Sequence, residues 1–311
     1  GAILEKDRPY LIPLLEELRL PEFIHARTNP KSSTGRLDIF TRVITDRSHR
    51  FDDIVDGYNG QLFLEVVSRS FTIKVKTELS LNQLRLIKGE PRCDKGELLE
   101  QHRQKPILLN KSGQQGQLRE PSEDNTITLS GNLSGNGRGV GFRAKKNSSL
   151  LDLSRESYYD PGDYWEPVYA ERTHRLVLEP EEFYLLTAAE GIRIPPEYAA
   201  ELTAYDPSSG ELRTHYAGFF DPGFGFGEHG NMPGVQPVLE IRAHDVPFMI
   251  EHGQTICTLT FERMLQAPER WYGATIGSSY QGEGLVLSKH FLPASTHWQR
   301  PLFEGSGGRN S

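Results

Sequence analysis

Cysteine is nearly absent: Cys93 and Cys257 are the two in 311 residues, and neither lies in a CxxC or Cys/His spacing. That excludes a disulfide-stapled secreted scaffold and a structural zinc ribbon, and it favours the reducing cytoplasm. Long apolar runs are missing too. None approaches the roughly eighteen residues a membrane-spanning helix needs, so no membrane partner is expected. Nor is there an excess of positive charge: Lys plus Arg number 35 against 42 Asp plus Glu, a net charge of −7. This argues against a broad electrostatic grip on nucleic acid and leaves room only for a local basic pocket. Glu5, Lys6, Asp7 and Arg8 interrupt the start before any apolar stretch forms, so residues 1–17 do not read as a signal peptide. No Met opens the chain, and the native start is expected upstream.

What is abundant is glycine and proline, 30 and 20 residues, which suits a loop-rich all-β architecture. At roughly 150 residues per domain the length suggests two units or one large one. Residues 3–21, ILEKDRPYLIPLLEELRLP, lie over 177–195, VLEPEEFYLLTAAEGIRIP, at an offset of 174; residues 60–66 lie over 235–241 at an offset of 175. The apolar positions Ile73, Val75, Leu81, Leu84 and Leu86 then fall on Phe248, Ile250, Ile256, Leu259 and Phe261. A period this long implies two copies of a domain, each with its own core, rather than a solenoid. The expected division is a first copy over 1–90, truncated at its start, a linker and connecting segment over 91–147, and a second copy with a C-terminal tail over 148–311. Residues 71–76 and 255–261 alternate with period two, as short strands do. Another strand is expected over 148–154, and helix only over 94–103 and around 196–202. Residues 110–147, with SGNLSGNGRGVG, read as a mobile connection or as a phosphate-cradling loop, although no GxxxxGK[ST] is present.

Lys31, Ser32, Ser33 and Arg36 gather two hydroxyls and two cations in the segment NPKSSTGR. Such a group either holds a polyphosphate, its hydroxyls and loop amides donating to the oxygens, or forms a solvated turn. The matching part of the second copy holds Ser208, Ser209, Gly210 and Arg213, followed by AGFFDPGFG. There Asp221-Pro222-Gly223 is a tight turn beside an aromatic wall, suited to a flat base and sugar, or an ordinary hairpin. Glu65 and Glu240 end the runs LFLE and PVLE, each nineteen residues after an Asp, Asp46 and Asp221. Such an acid either faces solvent or points inward, where burial raises its pKa toward general-base duty.

The turn AGFFDPGFG, the Ser-Ser-x-x-Arg loop, Leu239-Glu240, GQTICTLTFE and the tail Ser279-Tyr280-Gln281-Gly282-Glu283-Gly284 resemble the dUTPase superfamily, specifically its dCTP deaminase branch. The patterns of that branch run roughly RSSxxRxG, IDPGxxG, GxIxLE and KYQGQxG. The resemblance covers much of both copies and implies a mainly β fold of two tandem dUTPase-like, jelly-roll-type β-barrel domains. It implies a homo-oligomer, a trimer favoured, in which each site borrows the serine/arginine loop from a neighbour. The implied reaction is hydrolytic deamination of dCTP to dUTP and ammonia, a glutamate activating water against C4 without zinc and Mg2+ arriving with the triphosphate. The HxE…PCxxC signature of the zinc deaminases is absent. Carried over, the resemblance makes Glu240, Arg36, Ser32 and Glu65 catalytic candidates. Lys31, Ser33, Ala217, Asp221, Gly223, Tyr280 and Gln281 become candidate substrate contacts.

Neither copy carries the whole pattern. The first has Arg42-Val43-Ile44-Thr45 before its Asp and no Pro-Gly after it, and the serine loop of the second is one residue too long. The economical arrangement is complementation, with Ser32, Ser33 and Arg36 serving Ala217, Asp221 and Glu240. The alternative pairs the first loop with Glu65 of another chain. Rival functions are a dUTP pyrophosphatase or bifunctional enzyme, a non-catalytic deoxynucleotide-binding regulator, and a structural protein. For the first, residues 305–311 are glycine-rich but lack a stacking Phe. His174, His215, His229, His244 and His252 show no HxH or HExxH spacing and read as packing or surface residues. Trp165, Trp271 and Tyr272 read as core or interface aromatics, the last two placed to seat a tail whose Tyr280 and Gln281 close over the triphosphate.

Overall fold

A computed structural model describes residues 1–46, 48–110, 113–116, 125–135, 139–204, 212–214, 218–243, 245–273, 280 and 285–293. The first 90 residues form β1 (Ala2–Leu4), β2 (Pro9–Arg19), β3 (Ile24–Pro30), the single turn α1 (Ser32–Gly35), β4 (Ile39–Ile44), β5 (Asp53–Ile54), β6 (Asn59–Ser68), β7 (Ile73–Val75) and β8 (Asn82–Lys88). Next come α2 (Lys95–Gln104), β9 (Leu108–Leu109), β10 (Ile127–Ser130), β11 (Gly141–Ala144), β12 (Leu151–Asp152), α3 (Pro161–Tyr164), β13 (Trp165–Val168) and β14 (Arg175–Leu178). The remainder is β15 (Phe183–Thr187), β16 (Gly191–Ile192), β17 (Tyr198–Ala204), β18 (Leu212–Thr214), β19 (Gly218–Phe220), β20 (Val238–Ala243), β21 (Phe248–Glu251) and β22 (Thr255–Arg263).

Two sheets, β2-β6-β4 and β5-β3-β8, make the first half; β13-β11-β15-β20-β18 and β10-β22-β17-β19 dominate the second. Alternation drives the pairing. Along β6, Leu62, Leu64 and Val66 are buried while Phe63, Glu65 and Val67 stay partly open. Three pairing registers repeat between the halves, whereas β18–β20, with Thr214 opposite Ile241, is shifted by two from β4–β6, with Thr41 opposite Val66. Leu11 opposes Glu65 as Leu185 opposes Glu240, Thr28 opposes Leu84 as Leu202 opposes Leu259, and Leu4 opposes Ile73 as Leu178 opposes Phe248. Each pair is displaced by the 174 and 175 read from the sequence.

The expectation that each copy has its own core needs correction. One cluster lies within residues 93–261, but the other joins Leu37, Ile39, Val66 and Phe71 to Phe142, Trp165, Phe183, Leu185, Leu287 and Phe291. Phe71 meets Trp165 edge-on at 5.6 Å, and full burial of side chains this large is worth about 1.5–3 kcal/mol each. β12 also pairs in parallel with β7, so the second half completes a sheet of the first. Arg27 and Arg85 reach across to the buried Glu201 and Glu262, at 2.7 and 2.9 Å.

Two local readings change as well. The segment 91–147 is not a bare linker, because it supplies α2, β9, β10 and β11 to the packed sheets. α2 matches the helix expected over 94–103, its N-cap Asp94 accepting from the Glu97 amide at 2.9 Å. Residues 198–204, by contrast, are strand: β17 lies between β22 and β19, and cross-strand pairing overrides the helix preference of its alanines.

Candidate active site

Lys31 closes β3 and anchors α1, its amide donating to the Leu81 carbonyl at 3.1 Å. The Thr34 and Gly35 amides turn back to Lys31 and the Arg36 amide to Ser32, so those three loop amides serve the turn rather than a phosphate. Ser32 is left exposed and Ser33 is buried. The Ser288 hydroxyl donates to the Ser33 carbonyl at 2.9 Å and also lies 2.9 Å from His290 Nδ1. Burial pulls the His290 pKa down to about 4, so the imidazole is neutral around pH 7 while holding this C-terminal segment to the turn.

The turn lies directly against β20. A methyl group at Gly35 would sit 2.8 Å from Glu240 Oε1, inside van der Waals contact. Only a residue without Cβ lets the first half approach the acid of the second this closely. Glu240 is half-buried, and loss of hydration pushes its carboxyl up to about 8 against the pull of Arg36, with Asp38 adding to the rise. Arg36 is buried, donates to the Val286 carbonyl, and carries the Tyr280 ring 4.0 Å from its Cζ. Burial draws the Arg36 pKa down, opposed by Tyr280, Glu240 and Tyr272.

Tyr272 ties in the second loop. Its amide donates to the Pro222 carbonyl at 2.9 Å, and Phe224 N–H closes the turn on the Asp221 carbonyl at 3.1 Å. Gly223 sits at φ 92°, and a Cβ there would lie 2.9 Å from Trp271 Cγ. Asp221 itself is exposed and feels the charge of Arg85.

Glu65 keeps different company. It pairs with Arg42 at 3.9 Å, and the Arg42 guanidinium lies over the Phe40 and Phe51 rings at 4.2 and 4.5 Å. Arg42 opposes Glu65 across β4 and β6; in the sequence match its counterpart is Ala217. Ala217 and Gln281 lie outside the described residues. Tyr280, expected over the triphosphate, stacks on Arg36, and its hydroxyl accepts from the Lys289 amide at 3.2 Å. Sequence reading missed Gly35, Ser288, Asp38 and Arg242 as neighbours of this cluster. The one available signal was Asp38, which stands where the pattern RSSxxRxG has Gly.

A ring stacked on a desolvated guanidinium is worth about 1–2 kcal/mol, so Tyr280→Ala is expected to raise KM about 5- to 30-fold and lower kcat by less than about threefold. Steady-state kinetics check this; an unchanged KM removes Tyr280 from the pocket.

The mainly β fold, with an acid of the second half and a guanidinium of the first brought together, is of the dUTPase-like class. The chain belongs to the 2'-deoxycytidine 5'-triphosphate deaminase family, matching that family's N-terminal domain over residues 1–90 and its C-terminal domain over 94–291. It is similar to the crystal structure of 2'-deoxycytidine 5'-triphosphate deaminase from Agrobacterium tumefaciens, with TM-score 0.76 and 43% identity over 86% of this chain and 77% of that one. It is 34% identical to a dCTP deaminase of Natronomonas pharaonis over 143 residues, 45% of this chain and 67% of the relative. It is 31% identical to a dUMP-forming dCTP deaminase of Methanosphaera stadtmanae over 144 residues, 42% and 68% of the two.

Proposed function

We propose that the chain hydrolyses dCTP to dUTP and ammonia, with Glu240 as the base that activates water. The observation that carries this is the contact between the Ser32–Gly35 turn and Glu240 within one chain. In this reading a single pocket is shared by two copies of a duplicated domain. Glu240 takes a proton from water as oxygen adds to cytosine C4 and returns it to ring N3; it then carries the adduct's hydroxyl proton to the amino group as the C4–N bond breaks, so that the C4 carbonyl forms and ammonia leaves. A carboxyl with pKa about 8 suits both directions of that transfer near neutrality. Arg36 and Ser32 orient water and base; Lys31 and the Asp221-Gly223 turn hold the rest of the nucleotide. Mg2+ enters with the phosphates as part of the substrate.

The same reading includes a cytoplasmic homo-oligomer, a trimer favoured, with no nucleic-acid partner. The exposed Leu11 and Leu15 on β2 support self-association, since Leu185, the counterpart of Leu11, is fully buried. Among the described residues no helix is long and apolar enough to cross a membrane.

Glu240 must be ionised to act, so kcat/KM is expected to rise about tenfold per pH unit and level off near pH 8. Ammonia and pyrophosphate are measured separately after incubation with Mg–dCTP and Mg–dUTP. Ammonia from dCTP supports the reading, and added pyrophosphate extends it to the dUMP-forming reaction named for some relatives. Pyrophosphate from dUTP with no ammonia from dCTP identifies a dUTP pyrophosphatase instead.

A further inference from the structure

We propose that Asp38 and Arg242 form a clamp that positions the catalytic acid, one charge coming from the serine turn of the first half and the other from the strand that carries Glu240. Asp38 follows Arg36 by two residues and Arg242 follows Glu240 by two, so the pair fastens the turn to β20 immediately beside the reacting group. Arg242 donates to the Asp38 carboxylate and, through its other terminal nitrogen, to the Glu181 carbonyl. The Ser70 hydroxyl donates to the same Asp38 oxygen at 2.5 Å.

Asp38 has φ 58°, in the left-handed region that favours glycine and admits Asp or Asn. Here the carboxylate occupies a place where the resembling pattern carries no side chain, and it is completely buried. Arg242 is a departure too: the corresponding residue of the first half is Val67, opposite Pro9 as Arg242 is opposite Phe183. A carboxylate from the first half's turn and a guanidinium whose counterpart on the first half's acid strand is Val67 therefore meet where the halves join. A buried pair of this kind holds geometry through a charge-assisted hydrogen bond, here braced by the Glu181 carbonyl and the Ser70 hydroxyl, and removal of one partner leaves the other's charge buried without it.

The clamp rests on the reading of Glu240 as the base. Among the described residues, Arg36 and Asp38 face Glu240 from the turn. Around the clamp stand Arg69 and Ser70 at the end of β6, Glu181 before β15, and Asp7, which pairs with Arg69 at 3.1 Å. Asp38 opposes ionisation of Glu240, and Arg242 acts on that effect through its bond to the Asp38 carboxylate. Asp38→Asn keeps shape and backbone conformation but leaves Glu181, at 3.6 Å, as the carboxylate facing the Arg242 charge.

The test is the pH profile of kcat/KM, together with 13C titration of the Glu240 carboxyl assigned by its loss in Glu240→Gln. In Asp38→Asn the midpoint is expected to move to lower pH by about half a unit or more, with KM changed less than about twofold. The charge-neutral pair Asp38→Asn with Arg242→Gln is expected to return it toward the wild-type position. Asp38→Gly replaces the Asn variant if that protein does not fold. A purely structural role would lower kcat equally at every pH and leave both midpoints in place, and that result overturns the clamp. A wild type without the acidic limb, or an active Glu240→Gln, overturns the base assignment instead.

Discussion

Glu240→Gln is expected to lower deamination by orders of magnitude while stabilising the protein. Gln fills the same volume beside Gly35 but cannot take a proton from water, and general-base groups contribute about 10²- to 10⁴-fold, so kcat is expected to fall by that factor. The stability effect follows from the raised pKa. A folded-state value near 8 against 4.5 unfolded means the native protein holds the proton more tightly. That contribution is complete below pH 4.5 and is lost as pH rises through 8. The Gln variant has nothing to lose across this window. Its melting temperature should therefore exceed that of the wild type by a growing margin toward pH 8, corresponding to about 2–4 kcal/mol after allowing for partial exposure. Glu65→Gln provides the contrast. Glu65 is engaged with Arg42 in a partly exposed pair worth about 1 kcal/mol at most, and activity should stay within about threefold of wild type. Loss of turnover in Glu65→Gln with retention in Glu240→Gln would transfer the chemistry to the other acid.

Gly35→Ala tests the contact between the halves itself. The added methyl must push the Glu240 carboxylate aside, and a displacement of roughly 1 Å at a catalytic group costs about 10²-fold in rate. Helix propensity works in the other direction, Ala being better than Gly by about 1 kcal/mol, so a large loss of kcat cannot be ascribed to a weakened α1. Because the two substitutions act through one group, adding Gly35→Ala to Glu240→Gln should cost little more than Glu240→Gln alone. Independent, multiplicative losses in the double variant would mean that Gly35 does not act through the acid.

The duplicated strand pattern was readable because it is local: apolar positions alternate along each strand, and the same alternation returns at offsets of 174 and 175. The pairing of Leu11 with Glu65 and of Leu185 with Glu240 then obeys the same register. Misreadings came where composition and packing disagree. Residues 110–147 read from composition as a mobile connection, yet 127–130 and 141–144 within them pair with β22 and β15, and the alanines of β17 are held extended by strands on both sides. Of the site, Ser32, Arg36, Asp221 and Glu240 were accessible as motifs. Gly35, Asp38 and Ser288 were not, since their significance lies in atoms supplied from more than two hundred positions away, as in Asp38 with Arg242 or Ser33 with Ser288.

Sequence by itself determined the mainly β class, the repeated strand order and the residue types the pocket draws on, because backbone alternation and short motifs act over a few residues. Which acid meets the serine turn was decided by tertiary structure alone. Glu65 and Glu240 occupy equivalent strand positions, and only packing of the second half's β20 against Gly35, with Arg42 engaging Glu65 in the other half, brings one of them to the serine turn and Arg36.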